Sequence, residues 1–490
     1  MKPTPILSCM ALVATGCISI DSSRTSGELA AARREAAREI AAAAVLPAPA
    51  GTADEASGSR PAWVLAESAG ARLPRIAGEL SLPDAVGTAL GNNLSLRAAL
   101  FRRDEASAAV VAARSAAYPD LGLSAGVDSD LGERDGNPDT FSAGAKITQP
   151  LWRSGAVSAG IRYARLYAAA ADASIEAQTQ ATIEQAAREY LDVLLAQKLV
   201  AVYEESVAVA ERMLATANNK RAAGIAADYE VLRAEVEVAS SRSDLLKKQN
   251  ALLMARVALL HTMGVDQDSD ISISGEIGYA PCDADRGELV AIALANRPDL
   301  VQAEAAVRMA EENVSIVRSS YGPSADLYAS GVFRNPDPYD GTKDEWGDSW
   351  KAGATLAFTL FDGLERRGKL DQAIARQRQA EAELRNAEEA VRVEVAQAVL
   401  ALRNADELYQ SQKKNIDLAR EALRMVESGH RIGRNTQIEV LDARSALTEA
   451  VGGYHQALHN LATARLRLQL AIGTLSAETL VASENGVEVR

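Results

Sequence analysis

Two stretches of the chain, 154–221 and 363–431, carry polar and apolar positions at helical spacing with almost no breaker inside them. Gly160 and Gly368 are their interior interruptions. At about 1.5 Å per residue each stretch would extend roughly 100 Å, far more than a bilayer needs. Both are studded with Glu, Arg, Lys and Gln, so neither reads as a membrane helix. A shorter helical stretch precedes each, at about 83–116 and about 287–320. These end at Tyr118-Pro119 and at Tyr321-Gly322-Pro323, where proline stops helical propagation.

Between the short and the long stretches the period drops to two. Leu121, Leu123, Ala125 and Val127 alternate with Gly122, Ser124 and Gly126. Phe141, Ala143, Ala145 and Ile147 alternate with Ser142, Gly144, Lys146 and Thr148. The second half repeats the pattern, with Trp350, Ala352, Ala354, Leu356, Phe358 and Leu360 set between Lys351, Gly353, Thr355, Ala357 and Thr359. Such alternation describes strands with one apolar and one polar face. They are expected at about 120–128 and 141–151, and at about 325–334 and 349–361. The loops between them, 128–140 and 335–349, are rich in Gly, Pro, Asp and Asn and suit exposed hairpin tips.

The repetition extends to the residues themselves. Ala89-Leu90-Gly91-Asn92-Asn93-Leu94-Ser95-Leu96 aligns with Ala293-Leu294-Ala295-Asn296-Arg297-Pro298-Asp299-Leu300, and the same register pairs Pro119 with Pro323. A second gap-free block sets 224–264 against 433–473, matching Glu230-Val231-Leu232 with Glu439-Val440-Leu441. Two blocks in the same order describe a duplication, with halves at 80–265 and 287–475 joined by a linker at 266–286. Each half reads as helix, strand, strand, very long helix, helix, with hairpin tips at about 222–228 and about 431–436. The fold class is mainly α with a small β part.

The N-terminus bears on the compartment. Lys2, the apolar run from Ile6 to Val13 and the small residues Ala14-Thr15-Gly16 describe a secretory signal over 1–16, too short to span a bilayer. The residues before Cys17 resemble a bacterial lipobox, which implies lipidation of Cys17; Ala14 stands where that pattern prefers leucine. An ordinary signal peptide cut nearby is the alternative. Residues 17–79 read as a lipid-anchored tether with an Ala-rich helix, and 476–490 as a tail. With Cys17 lipidated, Cys282 has no partner for an internal disulfide.

Composition narrows the classes. Hydrophobic residues make up 48% but aromatic ones only 4%, which suits closely packed long helices better than several thick globular cores. A net charge of −14 argues against nucleic acid as a partner. No phosphate-cradling glycine loop, nucleophile elbow or Cys-x-x-Cys is present, so no enzyme, cofactor or metal site is expected. His455 and His459 share a helical face without the glutamate of a zinc protease, and read as ordinary helix-surface residues.

The strands approach the length that crosses a bilayer when tilted. In lipid an open sheet edge leaves backbone groups unsatisfied, so such strands must close into a barrel. Four strands cannot close one, so several subunits would have to share it. The blander alternative is a periplasmic coiled-coil structural or adaptor protein that transports nothing. A soluble rod does not explain paired amphipathic hairpins at matching places in both halves.

Residues 80–475 resemble the TolC-type outer-membrane efflux proteins. The likeness rests on Gln149-Pro150-Leu151-Trp152 and Thr359-Leu360-Phe361-Asp362-Gly363 at the strand-to-helix joints. It rests also on Gly433-Arg434-Asn435-Thr436-Gln437-Ile438-Glu439-Val440-Leu441-Asp442-Ala443, which is similar to the family's Gly-Thr-Arg-Thr-x-x-Asp-Val-Leu-Asp-Ala run. The resemblance implies a homotrimer whose twelve-stranded outer-membrane β-barrel continues as a long periplasmic α-helical barrel. It implies a passive duct for efflux or type I secretion, meeting a periplasmic adaptor and an inner-membrane RND or ABC transporter.

By the same resemblance Glu439 and Asp442 stand where acidic residues narrow the periplasmic entrance, and Asn435 replaces an arginine that helps hold it closed. Three copies of a carboxylate around one axis would attract cations and, crowded together, raise their own pKa values. Glu439 has a second reading, because Thr436-Gln437-Ile438-Glu439 fits a capping box with Thr436 as N-cap. Asp228 is the expected cap of the first returning helix, next to the Gly224 turn that matches Gly433. Arg233 aligns with Asp442 and is a candidate for locking the closed tip or for an ordinary surface ion pair.

Overall fold

The computed structural model describes residues 73–129, 139–224, 227–279, 286–337, 339 and 345–478. The signal peptide, Cys17, the Ala-rich helix of the tether, Cys282 and most of the tail lie outside these described residues.

The elements in chain order are β1 (Ala77–Leu80), α1 (Leu82–Asn92), α2 (Leu94–Ser115), β2 (Asp120–Ser129), β3 (Asp139–Trp152), α3 (Ala156–Ala222), α4 (Asp228–Thr262) and β4 (Asp270–Ile273). The second half supplies α5 (Arg286–Asn296), α6 (Pro298–Ser319), β5 (Ser324–Asn335), β6 (Gly347–Ala357), α7 (Glu365–Arg431) and α8 (Gln437–Ala471). Matching helices have equal lengths: 11 residues in α1 and α5, 22 in α2 and α6, 67 in α3 and α7, and 35 in α4 and α8.

The chain divides into two compact units. One contains residues 104–171 and 301–383 and holds a four-stranded antiparallel sheet in the order β2-β3-β5-β6. The pairing register sorts its side chains into two faces. Leu123 of β2 lies opposite Ala145 of β3, which lies opposite Gly331 of β5, which lies opposite Trp350 of β6. Leu121, Ile147, Ala329 and Ala352 occupy the next row on that apolar face. The other face carries rows such as Ser124, Gly144, Val332 and Ser349. Every residue of β2 is exposed, and so are Leu123, Trp350 and Leu356. Gly331 makes room for aromatic cover: a Cβ there would lie 2.6 Å from the Trp350 ring, whose Nε1 donates to Asp348 Oδ2 at 2.9 Å.

The other unit, with residues 172–300 and 384 onward, holds two helical cores. Val86 and Ala89 of α1 pack with Ile183, Tyr190 and Val193 of α3 and with Leu259 and Met263 near the end of α4. Leu289 and Ala293 of α5 pack in the same way with Val391, Val395 and Val399 of α7 and with Leu461 and Leu468 of α8.

Three expectations are corrected. The helices expected at 83–116 and 287–320 are each two helices. Asn93 breaks the first, because its Oδ1 accepts from the Ser95 and Leu96 amides at 2.9 and 3.0 Å and starts a new helix. Pro298 opens the second piece of the other, having no N–H to continue α5. The tether and the linker are not wholly irregular, since Ala77–Leu80 and Asp270–Ile273 pair as a parallel two-stranded sheet too short to show a period. The Tyr190 hydroxyl bonds the Leu80 carbonyl at 3.2 Å and the Ser274 carbonyl as well, locking that sheet onto α3. Finally, β6 stops at Ala357 rather than running to 361, so Phe358 and Leu360 lie past its end. Ala357 pairs with Ser324, the first residue of β5, and Pro323 before it has no N–H to offer.

Both halves dock their helix break on the end of the returning helix. Asn93 Nδ2 donates to the Thr262 carbonyl at 2.8 Å, and Arg297 Nη1 to the Ala471 carbonyl at 3.2 Å. Gly264 follows Thr262 at φ +65°, and a Cβ there would lie 2.3 Å from the Asn92 carbonyl oxygen. We expect Gly264→Ala to destabilise this unit by about 2 kcal/mol or more, from left-handed strain plus a backbone clash that cannot relax. Thermal unfolding followed by circular dichroism checks this, and an unchanged midpoint contradicts it.

Candidate functional site

The strand-to-helix joints come first, because they fix where the sheet gives way to the long helices. β3 carries a bulge between Pro150 and Trp152, with Trp152 exposed. Ser154 and Gly155 then adopt positive φ (50° and 91°), and α3 begins. Ser154 Oγ donates to the Pro323 carbonyl at 2.7 Å, so the joint of one half is tied to the strand start of the other. Gly322 permits this, since a Cβ there would fall 2.1 Å from Ser154 Oγ. Arg153 and Asp326 form an ion pair at 2.7 Å beside it. At the second joint Phe361 is exposed, and Gly363 and Leu364 take positive φ (65° and 75°). Asp362 Oδ2 accepts from Arg366 N at 3.1 Å and Arg366 Nε at 2.5 Å.

The two hairpin tips are built differently. At the second, Gly433 turns at φ 75°, and the Arg434 amide donates back to the Gly429 carbonyl at 2.8 Å. Thr436 is the N-cap of α8: its Oγ1 accepts from the Glu439 amide at 3.3 Å, and Glu439 Oε2 accepts from the Thr436 amide at 2.8 Å. Asn435 joins the same carboxylate, Nδ2 donating to Glu439 Oε2 at 3.0 Å, and its carbonyl lies 2.9 Å from His430 Nδ1. A Cβ on Gly429 would lie 1.7 Å from Asn435 Oδ1, so that glycine admits the asparagine. The Thr436 amide, then the Asn435 side chain, hold the Glu439 carboxyl below its ordinary value of 4.5. Within one protomer this direction is opposite to the rise expected for a crowded carboxylate ring.

At the first tip Gly224 turns at φ 74°, but the expected Asp228 cap is absent. The N-cap position falls on Ala227, which has no side-chain acceptor, and Asp228 instead pairs with Arg221 at 2.7 Å across the turn. Asp442 is exposed one helical turn past Glu439, and Arg233 is half-buried on α4. Among the described residues neither makes an ion pair, and the structure does not bring them together.

Three features have no counterpart in the motif reading. Behind the tips, Val202, Val209, Leu423, Leu441 and Val451 line a groove of about 260 Å³ edged by Glu205, Glu237, Glu427 and Arg444. Along α4, Tyr229, Leu232, Val236, Leu246, Leu253 and Val257 are all exposed. Their spacings of three and four residues, carried through Ala239, Ser243 and Asn250, make an unbroken coiled-coil seam that heptad counting could have found. Last, His459 is buried, not on the surface: it sits in α8 between buried Leu458 and Leu461. Its Nε2 lies 2.7 Å from Asp192 Oδ1, out of line for a hydrogen bond.

No helix of the described residues is long and apolar enough to cross a membrane. An antiparallel sheet with an apolar and a polar face, two unpaired edges and long helical hairpins issuing from it defines a subunit of a membrane β-barrel channel. The family model "Outer membrane efflux protein" matches residues 85–265 and 289–474, and the chain belongs to that family. It is therefore an outer-membrane channel protein rather than an enzyme, which sets aside the non-transporting coiled-coil alternative. The chain is 27% identical over 424 residues to "Outer membrane protein TolC" of Vibrio cholerae, covering 84% of this chain and 94% of that one. It is 24% identical to "Probable outer membrane lipoprotein SilC" of Salmonella typhimurium, covering 74% and 79%. Among solved structures the Campylobacter jejuni CmeC outer membrane channel shares the fold, with a TM-score of 0.71 at 16% identity over 90% of this chain and 96% of that one.

Thr436→Ala should weaken the start of α8 by about 1 kcal/mol, read as faster amide exchange confined to residues near 437–440. Because the Glu439 pKa is depressed in the folded state, the stability it adds is complete above the ordinary glutamate value and is lost as pH falls through the lower folded value. The protection factors of the tip amides, with the intrinsic pH dependence of exchange divided out, should therefore fall below pH 4.5 in the native protein and not in Glu439→Gln. A flat profile in both contradicts the cap.

Proposed function

We propose that three copies of this chain form a passive duct through which an inner-membrane pump and a periplasmic adaptor export their substrates. The observation that carries this reading is the sheet with two free edges. β2 and β5 run one way and β3 and β6 the other, so β6 of one copy meets β2 of the next antiparallel, whatever the number of copies. One copy supplies four strands, below the eight of the smallest closed membrane barrels; three supply twelve, as the family resemblance implies. The exposed seam on α4 supports assembly too, because a coiled-coil stripe of this length has no partner within the described residues of one chain. The groove behind the tips suits a helical adaptor hairpin, being apolar at its floor and charged at its rim. An RND or ABC transporter would supply the energy. Cys17, by its lipobox-like setting, would anchor the chain to outer-membrane lipid.

At the periplasmic tip Asp442 is the gate residue. Glu439 is engaged by the cap of its own helix, whereas Asp442 is exposed and unpaired among the described residues. Arg233 is a secondary candidate for closing contacts between copies. Asp442→Ala should raise single-channel conductance in planar bilayers and weaken block by multivalent cations severalfold. Unchanged conductance and block would remove Asp442 from the gate, and recovery of the wild-type protein as a soluble monomer would overturn the duct itself.

A further inference from the structure

The polar face of the sheet holds one row unlike the others. Gly122 pairs with Lys146, Lys146 with Ser330, and Ser330 with Lys351, so both lysines stand at one height on one face. One strand, β5, separates them, a spacing of about 10 Å between backbones. Both side chains are exposed, and among the described residues neither makes an ion pair. The row on one side is Ser124, Gly144, Val332 and Ser349, without charge. The row on the other is Asp120, Thr148, Tyr328 and Gly353, where Asp120 lies diagonal to Lys146 on the edge strand without an ion pair to it. Tyr328 lies flat across Gly353, where a Cβ would fall 3.0 Å from the phenol oxygen. That sets a hydroxyl donor on the same face, one row from the lysines and on the strand between them.

We propose that Lys146 and Lys351 form a basic girdle inside the barrel that binds multivalent anions and favours anionic cargo. The inference rests on the closed barrel described above. In a chain of net charge −14, two lysines in one row without a counter-charge form a local reversal of sign. Closure of three copies would bring six ammonium groups into one band of the wall, two from each chain at neighbouring heights because the strands tilt. An ammonium offers three donors and a compact charge, and like charges on one face with no acid between them are lower in energy when an anion sits among them.

The test titrates inorganic tripolyphosphate into detergent-extracted full-length trimer at low salt, by calorimetry, and adds it to the open channel in planar bilayers. The wild type should bind the probe and be blocked by it. Lys146→Gln/Lys351→Gln should weaken both by roughly tenfold or more and shift the reversal potential in a salt gradient toward cation selectivity. The pair Lys146→Arg/Lys351→Arg should restore both, which separates charge from folding, and Arg334→Gln, on another row, should change affinity little. Equal binding and an unmoved reversal potential in an intact Gln double-variant trimer would overturn the girdle. Failure of the wild type to form trimers or conduct would instead overturn the barrel on which the girdle depends.

Discussion

The backbone hydrogen bonds at the two edges of the β2-β3-β5-β6 sheet constrain everything else in this protein. The apolar face needs lipid, and in lipid an unpaired N–H or C=O costs several kcal/mol with no water to relieve it. One chain cannot satisfy its own edges with four strands. The requirement passes to the assembly, and with it the need for a seam that matches copy to copy along the helices. The exposed stripe from Tyr229 to Val257 lies where that need would be met.

The duplication is held together by one recurrent contact made with different chemistry. In each half a helix break docks on the end of the returning helix beside its left-handed glycine, Asn93 on the Thr262 carbonyl next to Gly264 and Arg297 on the Ala471 carbonyl next to Gly473. Asparagine does this with an amide that also caps α2. Arginine does it with a guanidinium that pairs with Asp299 at 2.9 Å and reaches Glu394 as well. The backbone geometry is common to both, and the side chains have diverged around it. Divergence is wider at the tips, where one turn relies on a cross-turn ion pair and the other on a full capping box. The second tip therefore has the better-defined backbone beside Asp442, while the first has a helix start without a side-chain cap. Asn435 is held within its own protomer, its side-chain amide on Glu439 and its backbone carbonyl beside His430 Nδ1.

Local pattern was enough to reveal the long helices, the strand alternation, the duplication and the capping box around Thr436, because each depends on residues a few positions apart in the chain. Period two assigned the side chains of β2, β3 and β6 to faces before any pairing was known, since that assignment is intrinsic to an extended backbone. What the chain alone left open were the facts set by distant partners. The parallel pairing of Ala77–Leu80 with Asp270–Ile273 joins segments four residues long that carry no period of their own. The end of β6 was decided by Pro323 on the neighbouring strand, the burial of His459 by helices packed around it, and the cap at Asp228 was lost to Arg221 across the turn. The alignment of Lys146 with Lys351 needed the register of three strands, which no stretch of sequence specifies by itself. Hydrophobic periodicity fixes which face a residue takes; only pairing fixes its height and its neighbours.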